Sequence, residues 1–566
     1  MSKVLYSVYR YIVLGLFLVI NIWLFLLSIF STSRLTSDAS ERTYYTGDHA
    51  WLHVIILAIL IAAVFYLVRK NIFTRINSYL TNNEKAFIRI RNICLIIIGI
   101  SGAAWVLLTQ STAGADQYYV LNAARGLRNG DYSAFQYNGY IAKYTNQIGL
   151  LFIEYIIGFI VGDYNYLFWQ LLNVVMIVFT YKMFSDILGL LKLPRIASLF
   201  TIILGILFFP WTLYSVFIYG NVAGLFFATA SFKYTILFID RLKEFNSLKI
   251  SYIVISAVSM MLSVMVKNNY LIFMIALIIY TIAETLRHQN IQIILVTCAV
   301  IAGFAIQAVV PKLVVEKISG CNLNNGASSW TWIAMGLHPS DSNVYADGWY
   351  SGRIAAFYEN NDYDTRKEAE ASKAEIKGYI DTYKSDHSAF VSFLSKKVAS
   401  QWNNPEFQCF WITNVRGSNI EKSVIISEIL SLEGSTPFIA FLNIMQSIIL
   451  FGSMLYAINA LIGGTFAGAT VLPLTFIGGF IFHLFWEGKC QYTLPYFMLL
   501  LPLSIIGFYS MAKRLAHVTA KHLYKCGVFA VILLFITIIF NRFTILNQDD
   551  KSYKQYREYT IEQQKL

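Results

Sequence analysis

Long apolar runs alternate with short polar segments along almost the whole chain. The runs lie at about 11–30, 51–68, 93–108, 148–162, 165–183, 196–211, 215–239, 250–266, 270–285, 291–310, 436–460, 466–486, 497–511 and 526–541. Most approach the roughly 20 residues that a helix needs to cross the hydrocarbon of a bilayer. Because the runs are continuous and not alternating, they predict helices and not the strands of a β-barrel. The pattern therefore predicts an all-α polytopic membrane protein, a bundle of about 13–14 spans.

The composition agrees with a membrane protein. Hydrophobic residues make up 57% of the chain and charged residues 13%, whereas a soluble protein carries about 25% charge. The mean hydropathy is +0.56. The net charge of +12 comes from basic residues in the short segments between apolar runs, as the positive-inside rule describes. We therefore expect the lipid bilayer as a partner and no nucleic acid.

The basic residues also predict which segments are cytoplasmic. Lys3 and Arg10 precede the first run, and the stretch 69–91 holds six basic residues against Glu84 alone. Both segments are predicted to be inside. The first run has no cleavage site after it and is interpreted as a retained signal anchor.

This orientation places segment 109–147 outside. Four full crossings between 148 and 240 would then leave the basic segment that follows them outside, where the positive-inside rule does not expect it. We interpret the short run 148–162 as the one that does not cross, because partial spans are tolerated where protein shields them.

Five regions follow from this pattern: a two-span hairpin extension (1–92), a transmembrane core with its first outer loop (93–310, loop 109–147), an extracytoplasmic subdomain (311–435), C-terminal spans (436–541) and a polar tail (542–566). Within the subdomain, 365–384 and 388–402 are predicted as amphipathic helices. The six cysteines lack the spacing of a metal site. The sequence does not decide whether Cys321 and Cys409 form a disulfide.

Ionisable and polar residues collect in segments predicted to lie at the outer surface. The candidate site residues are Asp116, Asp131, Tyr140 and Lys143 in the first outer loop, Lys267 between two runs, and Glu487, Lys489, Gln491 and Tyr492 in a late loop. Ionisable groups at a membrane boundary are costly to desolvate and often mark a substrate site. The alternatives are an ordinary polar loop with interfacial tyrosines, a snorkelling Lys267, and a local ion pair between Glu487 and Lys489. His483 is predicted to be a packed, hydrogen-bonded histidine and not a ligand.

Two of these segments carry a resemblance. The first contains Asp116-Gln117, Asp131, Asn138-Gly139-Tyr140, Lys143, Asn146 and Gly149-Leu150; the second reads Trp486-Glu487-Gly488-Lys489-Cys490-Gln491-Tyr492, followed by Pro495-Tyr496. Together they resemble the outer loops of GT-C class glycosyltransferases that use polyprenyl-phosphate donors, such as the protein O-mannosyltransferase-like and aminoarabinose transferase-like enzymes. Gln117 stands where that class usually has Glu, and Gln491 stands where it has Arg. The resemblance covers the chain from about residue 93 onward.

The resemblance implies a GT-C-like fold and a reaction. A sugar on a polyprenyl phosphate would be transferred to an extracytoplasmic cell-envelope acceptor, such as a polysaccharide, a teichoic acid or a glycolipid, in a bacterial plasma membrane. Asp116 would be the general base of an inverting displacement, with Asp48 as its rival. Lys143 and Lys489, and less strongly Lys267, would offset the charge of the departing phosphate.

The remaining expectations concern binding and cofactors. Glu487 and Tyr492 would orient the donor. Trp332 and Trp402 are candidates to stack on sugar rings, although anchoring of the outer subdomain is the favoured role for both. Neither a metal nor another cofactor is expected. A transporter or flippase of lipid-linked saccharides is a second hypothesis, which sparse midplane charge and the lack of repeated halves disfavour. A polysaccharide polymerase or ligase is a third.

Overall fold

The structure is a computed structural model that describes residues 2–36, 41–245, 248–340, 346–415, 423–463, 470–517 and 550–565. Its strands are β1 Ser31–Leu35 and β2 Thr43–Gly47, and its helices are α1 Ser2–Phe30, α2 Ala50–Arg69, α3 Ile72–Asn82, α4 Glu84–Thr109, α5 Asp116–Asn129, α6 Tyr140–Lys143, α7 Ile148–Val161, α8 Tyr166–Leu190, α9 Arg195–Leu207, α10 Pro210–Leu213, α11 Asn221–Phe245, α12 Ile250–Val266, α13 Leu271–His288, α14 Ile294–Ser319, α15 Ser329–Leu337, α16 Arg353–Asn360, α17 Thr365–Ser385, α18 His387–Trp402, α19 Cys409–Val415, α20 Val424–Leu430, α21 Leu432–Leu461, α22 Val471–Phe485, α23 Cys490–Met498, α24 Leu500–Leu515 and α25 Asp550–Lys565.

The chain is a helical multi-pass membrane protein. Eight of the described helices are long and apolar enough to cross a membrane, or up to eleven if three bent helix pairs each count as one span. Helices α12 and α22 are apolar but shorter. The predicted span 526–541 lies outside the described residues. The described part of the chain thus holds fewer spans than the predicted 13–14, and the short apolar helices and the undescribed segment account for the difference.

Contacts at the helix ends define two faces of the bundle. On one face, which we name the Asp116 face, α5 follows α4, and the Ser111 carbonyl at the end of α4 accepts a bond of 2.7 Å from Gln170 near the start of α8. On the opposite face, named the Arg91 face, Arg91 of α4 pairs with Asp186 near the end of α8. Helix α8 therefore runs from the Asp116 face to the Arg91 face.

Helix α7 begins and ends on the Asp116 face. It follows a helical segment from which it is bent by 97°, and Asp163 just beyond its end pairs with Arg125 and Arg128 of α5. A helix of 14 residues that returns to its own side removes the extra crossing between 148 and 240. The geometry supports the interpretation of 148–162 as a segment that does not cross.

Helix α1 is an integral part of the bundle. Its buried residues include Leu14, Phe17 and Leu24, and Phe17 packs edge-on against Tyr456 of α21 and Phe476 of α22. The predicted extension 1–92 is therefore only in part an addition. Its second helix, α2, does expose most of its surface, with 11% of its apolar window buried.

The polar segment after α1 is a β-hairpin, a local addition to the predicted all-α bundle. Strands β1 and β2 pair antiparallel, with Ser33 opposite Tyr45. Tyr44 on β2 stacks on Tyr556 of α25 at 5.4 Å between ring centroids. The described tail thus lies on the same face as the hairpin. Short strands are covered here by a helix, which protects their edges.

The region between α14 and α21 contains the predicted amphipathic helices. Helix α17 covers 365–385 and α18 covers 387–402, close to the predicted bounds. Asp364 and Asp386 cap them by accepting hydrogen bonds from first-turn N–H groups, which stabilises helix starts. Helix α14 continues through Pro311 to Ser319, so the predicted boundary at 311 falls inside a helix. Cys321 and Cys409 are both free, and no disulfide joins them.

Candidate functional site

Asp116 is the first residue of α5 and is exposed. The Tyr140 hydroxyl donates a hydrogen bond of 3.1 Å to its Oδ1 atom, and the Tyr140 ring stacks on Tyr119. Ala115, immediately before it, has φ 49° and ψ −127°, a conformation that costs energy for a residue with a side chain. The chain thus holds one accessible carboxylate in a fixed position beside tyrosine rings.

Lys267 provides a cation near this carboxylate. It lies between α12 and α13 and is half-buried. Its Nζ donates 2.8 Å to Asn221 Oδ1 and 3.3 Å to the Tyr219 carbonyl, and it lies 4.0 Å from the Tyr219 ring centroid and 5.3 Å from that of Tyr492. Burial lowers the pKa of Lys267 to about 7, against the opposing charges of Asp116 and Glu487. Among the described residues no carboxylate approaches its amine within ion-pair distance.

Two glycines let other segments approach the Lys267 backbone. A Cβ on Gly149, at the start of α7, would overlap the Met265 carbonyl, and one on Gly220 would overlap the Val266 carbonyl. Gly220 also has φ 77°, which favours glycine. These positions explain why α7 and the start of α11 can both pack against the segment that carries Lys267.

The late loop brings a second cation, and this one is paired. Lys489 Nζ lies 2.7 Å from Glu41 Oε2, and the two side chains are 6% and 5% exposed. The pair links the segment beside the β-hairpin to the loop between α22 and α23. The Lys489 amine also lies 5.1 Å from the ring centroid of Tyr350. The alternative of a local ion pair between Glu487 and Lys489 is wrong, because Lys489 pairs with Glu41 instead.

Glu487 is a buried carboxyl at the same place. It is 6% exposed and, in the described ranges, its side chain forms no hydrogen bond or ion pair. Burial raises the pKa of Glu487 to about 7; Lys489 and Lys267 oppose this effect, and Asp116 and Glu41 add to it. The charges of Asp116, Glu41, Glu487, Lys267 and Lys489 therefore act on one another, and we name the place where these five side chains meet the crevice.

The outer subdomain fixes the backbone of this loop. Gly488 N donates 2.7 Å to the Gly348 carbonyl, and Lys397 of α18 donates 2.9 Å to the Trp486 carbonyl. Burial lowers the pKa of Lys397 to about 7. Gln401 of α18 also donates 3.3 Å to the His483 carbonyl.

Gln491 and Tyr492 lie at the start of α23 and face the Lys267 side of the crevice. The Gln491 carbonyl accepts 3.0 Å from Asn221, and the Tyr492 ring is parallel to that of His483 at 6.1 Å. His483 is fully buried and packed, as predicted. Its ring nitrogens form no hydrogen bond of good geometry with a described residue, although the backbone of Glu487 lies close enough to act on the ring.

A row of aromatic rings continues from Tyr140. Tyr144 lies 4.9 Å from Tyr140 and 6.3 Å from Trp332, and Trp332 lies parallel to Trp486 at 6.0 Å. All four are half-buried. Trp402, in contrast, is 1% exposed and packs on Phe476 and Phe480. Trp402 therefore anchors the subdomain, which is the role favoured for it from the sequence, and its burial leaves no ring face for a sugar.

Three other candidates form no hydrogen bond or ion pair with the crevice residues in the described ranges. Asp131 is exposed and accepts 3.0 Å from Ser133 N, which closes a local turn. The Lys143 amine forms no hydrogen bond or ion pair to a described residue, while its carbonyl accepts 2.9 Å from Ala327 N. Asp48 accepts 2.8 Å from Thr32 and lies 3.5 Å from His53. Burial raises the pKa of Asp48, but His53 and these bonds outweigh it and leave it lowered.

Sequence reasoning missed the residues that complete the crevice. These are Glu41, Tyr144, Tyr219, Asn221 and Tyr350. Asn221 is the first polar residue after Gly220 at the start of an apolar run, and a polar residue at a helix start was a signal that could have been followed.

In the described ranges, no group of three or more His, Cys, Asp or Glu side chains is placed to hold a metal ion. Comparison of the chain with protein-family models, with curated proteins and with solved structures gives no match in any of the three. The arguments for function therefore rest on the crevice itself.

Proposed function

We propose that the chain is a membrane glycosyltransferase that moves a sugar from a polyprenyl phosphate to an acceptor hydroxyl. The observation that carries the proposal is the exposed carboxylate of Asp116, which Tyr140 holds by a hydrogen bond, across a crevice from the amine of Lys267. An accessible base and a cation that is not neutralised by a carboxylate suit a reaction in which a hydroxyl attacks and a phosphate leaves.

The proposed reaction is a single displacement with inversion. The acceptor hydroxyl gives its proton to Asp116 as its oxygen attacks the anomeric carbon. The bond between that carbon and the lipid-phosphate oxygen breaks, and the phosphate leaves with the electron pair. Because phosphate is a good leaving group, no general acid is required.

The lysines have unequal roles in this scheme. Lys267 offsets the charge of the departing phosphate, since its other contacts are neutral oxygens and aromatic rings. Lys489 contributes less, because Glu41 already neutralises it. Its main role is to hold Glu487, Gln491 and Tyr492 in place beside the donor. Lys143, whose amine forms no hydrogen bond or ion pair to a described residue, remains proposed to offset the same charge, and Asp131 remains a proposed substrate contact.

The Asp116 face is proposed to be extracytoplasmic. The opposite end of the bundle carries Lys70, Arg75, Lys85 and Arg89, which are exposed, and an excess of basic residues marks cytoplasmic segments. A bacterial plasma membrane, with a cell-envelope polysaccharide, teichoic acid or glycolipid as acceptor, remains the proposed setting.

The test uses purified protein and a panel of radiolabelled polyprenyl-phosphate sugars, with transfer to envelope acceptors as the readout. Asp116→Asn should lower the rate about 10²- to 10⁴-fold, the range of general-base catalysis. Asp362→Asn, an exposed carboxylate in the outer subdomain, is the matched control and should retain the rate. Equal rates for wild type and Asp116→Asn would remove Asp116 as the base.

A flippase of lipid-linked saccharides is the second candidate. Two observations favour it: Glu154 is 3% exposed within apolar helix α7, and four ionisable groups meet between candidate spans at Asp186. Ionisable groups inside a membrane often mark a transport path. Movement of lipid-linked sugar across liposomes without a new glycosidic bond would favour this candidate. A polymerase or ligase would share the transfer chemistry and differ in the acceptor.

A further inference from the structure

A second cluster of charges lies far from the Asp116 crevice, near the Arg91 face. Asp186 of α8 accepts from Lys233 of α11 at 2.8 Å and from Lys182 at 3.1 Å, and Arg91 of α4 lies at 3.5 Å. Lys233 lies about 18 Å along α11 from Asn221, at 1.5 Å per residue. The cluster is therefore separate from the proposed reaction site.

The charges in this cluster do not balance. Three cations surround one carboxylate, and no second carboxylate pairs with them in the part of the chain that the structure describes. Arg91 Nε is buried and lacks a hydrogen-bond partner there. Arg91, Asp186 and Lys233 are only 17%, 19% and 19% exposed. Two uncompensated positive charges and an unused donor between membrane helices are suited to an anion.

The cluster opens toward lipid along α8. Val175 and Phe179 are 49% and 47% exposed, and with Lys182 and Asp186 they follow the i, i+4, i+7, i+11 spacing of one helix stripe. Lys182 is itself 33% exposed. An acyl chain can therefore lie along Val175 and Phe179 while its headgroup reaches Lys182.

Helix α3 marks the membrane surface beside the cluster. It buries Leu80 against Ile196 and Leu199 of α9, and Arg195 donates 3.0 Å to the Leu80 carbonyl. Its other sides carry exposed Arg75 and polar residues, which is typical of a helix in the interfacial plane.

We propose that Arg91, Lys182 and Lys233 bind the phosphate of an anionic phospholipid in the leaflet at the Arg91 face. Basic pockets between transmembrane helices on this side of a membrane recognise such headgroups. A free phosphate ion would offer these side chains the same phosphate group. The lipid-facing stripe of α8 favours the lipid over the free ion. This site is independent of glycosyl transfer.

The experiment titrates delipidated protein in detergent with phosphatidylglycerol or with phosphatidylcholine of the same acyl chains, and native mass spectrometry counts the bound lipids. Wild type should bind phosphatidylglycerol in preference. The double variant Lys182→Gln/Lys233→Gln should bind it about 25-fold more weakly, from roughly a fivefold contribution per lysine. The control Lys70→Gln/Lys85→Gln removes the same charge from exposed positions on the same face and should bind as wild type does.

A melting curve of each variant reports folding. If the double variant does not fold, Lys182→Gln leaves Asp186 paired with Arg91 and Lys233, and should bind about fivefold more weakly. Equal binding of the two lipids, or equal losses in the cluster and control variants, would overturn the proposal. Displacement of the lipid by millimolar inorganic phosphate, with phosphate retained, would assign the site to the free ion and overturn the lipid assignment.

Discussion

The ion pair between Glu41 and Lys489 gives the sharpest prediction. The two residues are remote in sequence, yet their charged atoms lie 2.7 Å apart and their side chains are about 95% shielded from solvent. Replacing either one by an uncharged residue leaves the other charge buried. We consider Glu41→Gln, Lys489→Met and the double variant.

The magnitude follows from Coulomb's law and from desolvation. At 2.7 Å and an effective dielectric constant near 20, the attraction is about 6 kcal/mol, much of which offsets the cost of taking both charges out of water. Removing one partner should therefore lower stability by about 3–5 kcal/mol. The double variant removes both charges and should be more stable than the sum of the single losses predicts.

The assay is a double-mutant cycle on unfolding in detergent micelles. The matched control is the pair Asp362 and Lys367, whose charged atoms are 2.8 Å apart but whose side chains are 79% and 58% exposed. Its coupling should be close to zero, because water screens exposed pairs. If the buried cycle also gives a coupling near zero, the pair does not join the hairpin to the late loop, and the reasoning fails.

Three further predictions concern the crevice. Donor affinity should fall as pH rises through about 7, because Lys267 loses its proton and Glu487 becomes anionic there; the donor KM measured from pH 6 to 8.5 should show this, and a Lys267→Met variant with the same profile would contradict it. The melting temperature should rise between about pH 7 and 9. The pKa of Lys397 is about 7 in the folded chain and near 10.4 when unfolded, so the unfolded state binds more protons in this range. The melting temperature of Lys397→Met should rise less over the same range. Gly149→Ala should lower the free energy of unfolding by about 1–3 kcal/mol through overpacking on the Met265 carbonyl. Gly189→Ala, whose new methyl group meets no atom within 4 Å, should not lower it. Equal melting temperatures of the two variants would count against the close approach of α7.

Local patterns were sufficient to predict the helices. Apolar runs predicted α1, α2 and α4 because burial in a bilayer needs only length and composition. The 3.6-residue pattern predicted α17 and α18 because the faces of a helix depend on neighbours in sequence. The conflict in the crossing count also directed attention to 148–162, where the structure has a short helix bent by 97° from the segment before it.

Pairing between distant segments could not be predicted in this way. Glu41 and Glu487 are equally plausible partners for Lys489 in the sequence, and only the packing of α1 beside α22 brings Glu41 to it. Lys143 and Asp131 matched a motif in spacing, but the turn closed by Ser133 keeps Asp131 out of the crevice. The β-hairpin was hidden because a short strand pair covered by a helix has little periodic signal.

The hydrogen bonds from α18 to the late loop have a practical consequence. Lys397 donates a hydrogen bond to the Trp486 carbonyl and Gln401 donates one to the His483 carbonyl. The polar segment between α14 and α21 therefore supports the crevice structurally. Excising it to obtain a crystallisable fragment, or grafting it from another protein, would leave Glu487 and Tyr492 unsupported. Binders raised against α17 and α18 would, for the same reason, be suitable allosteric reagents for an assay of the intact protein.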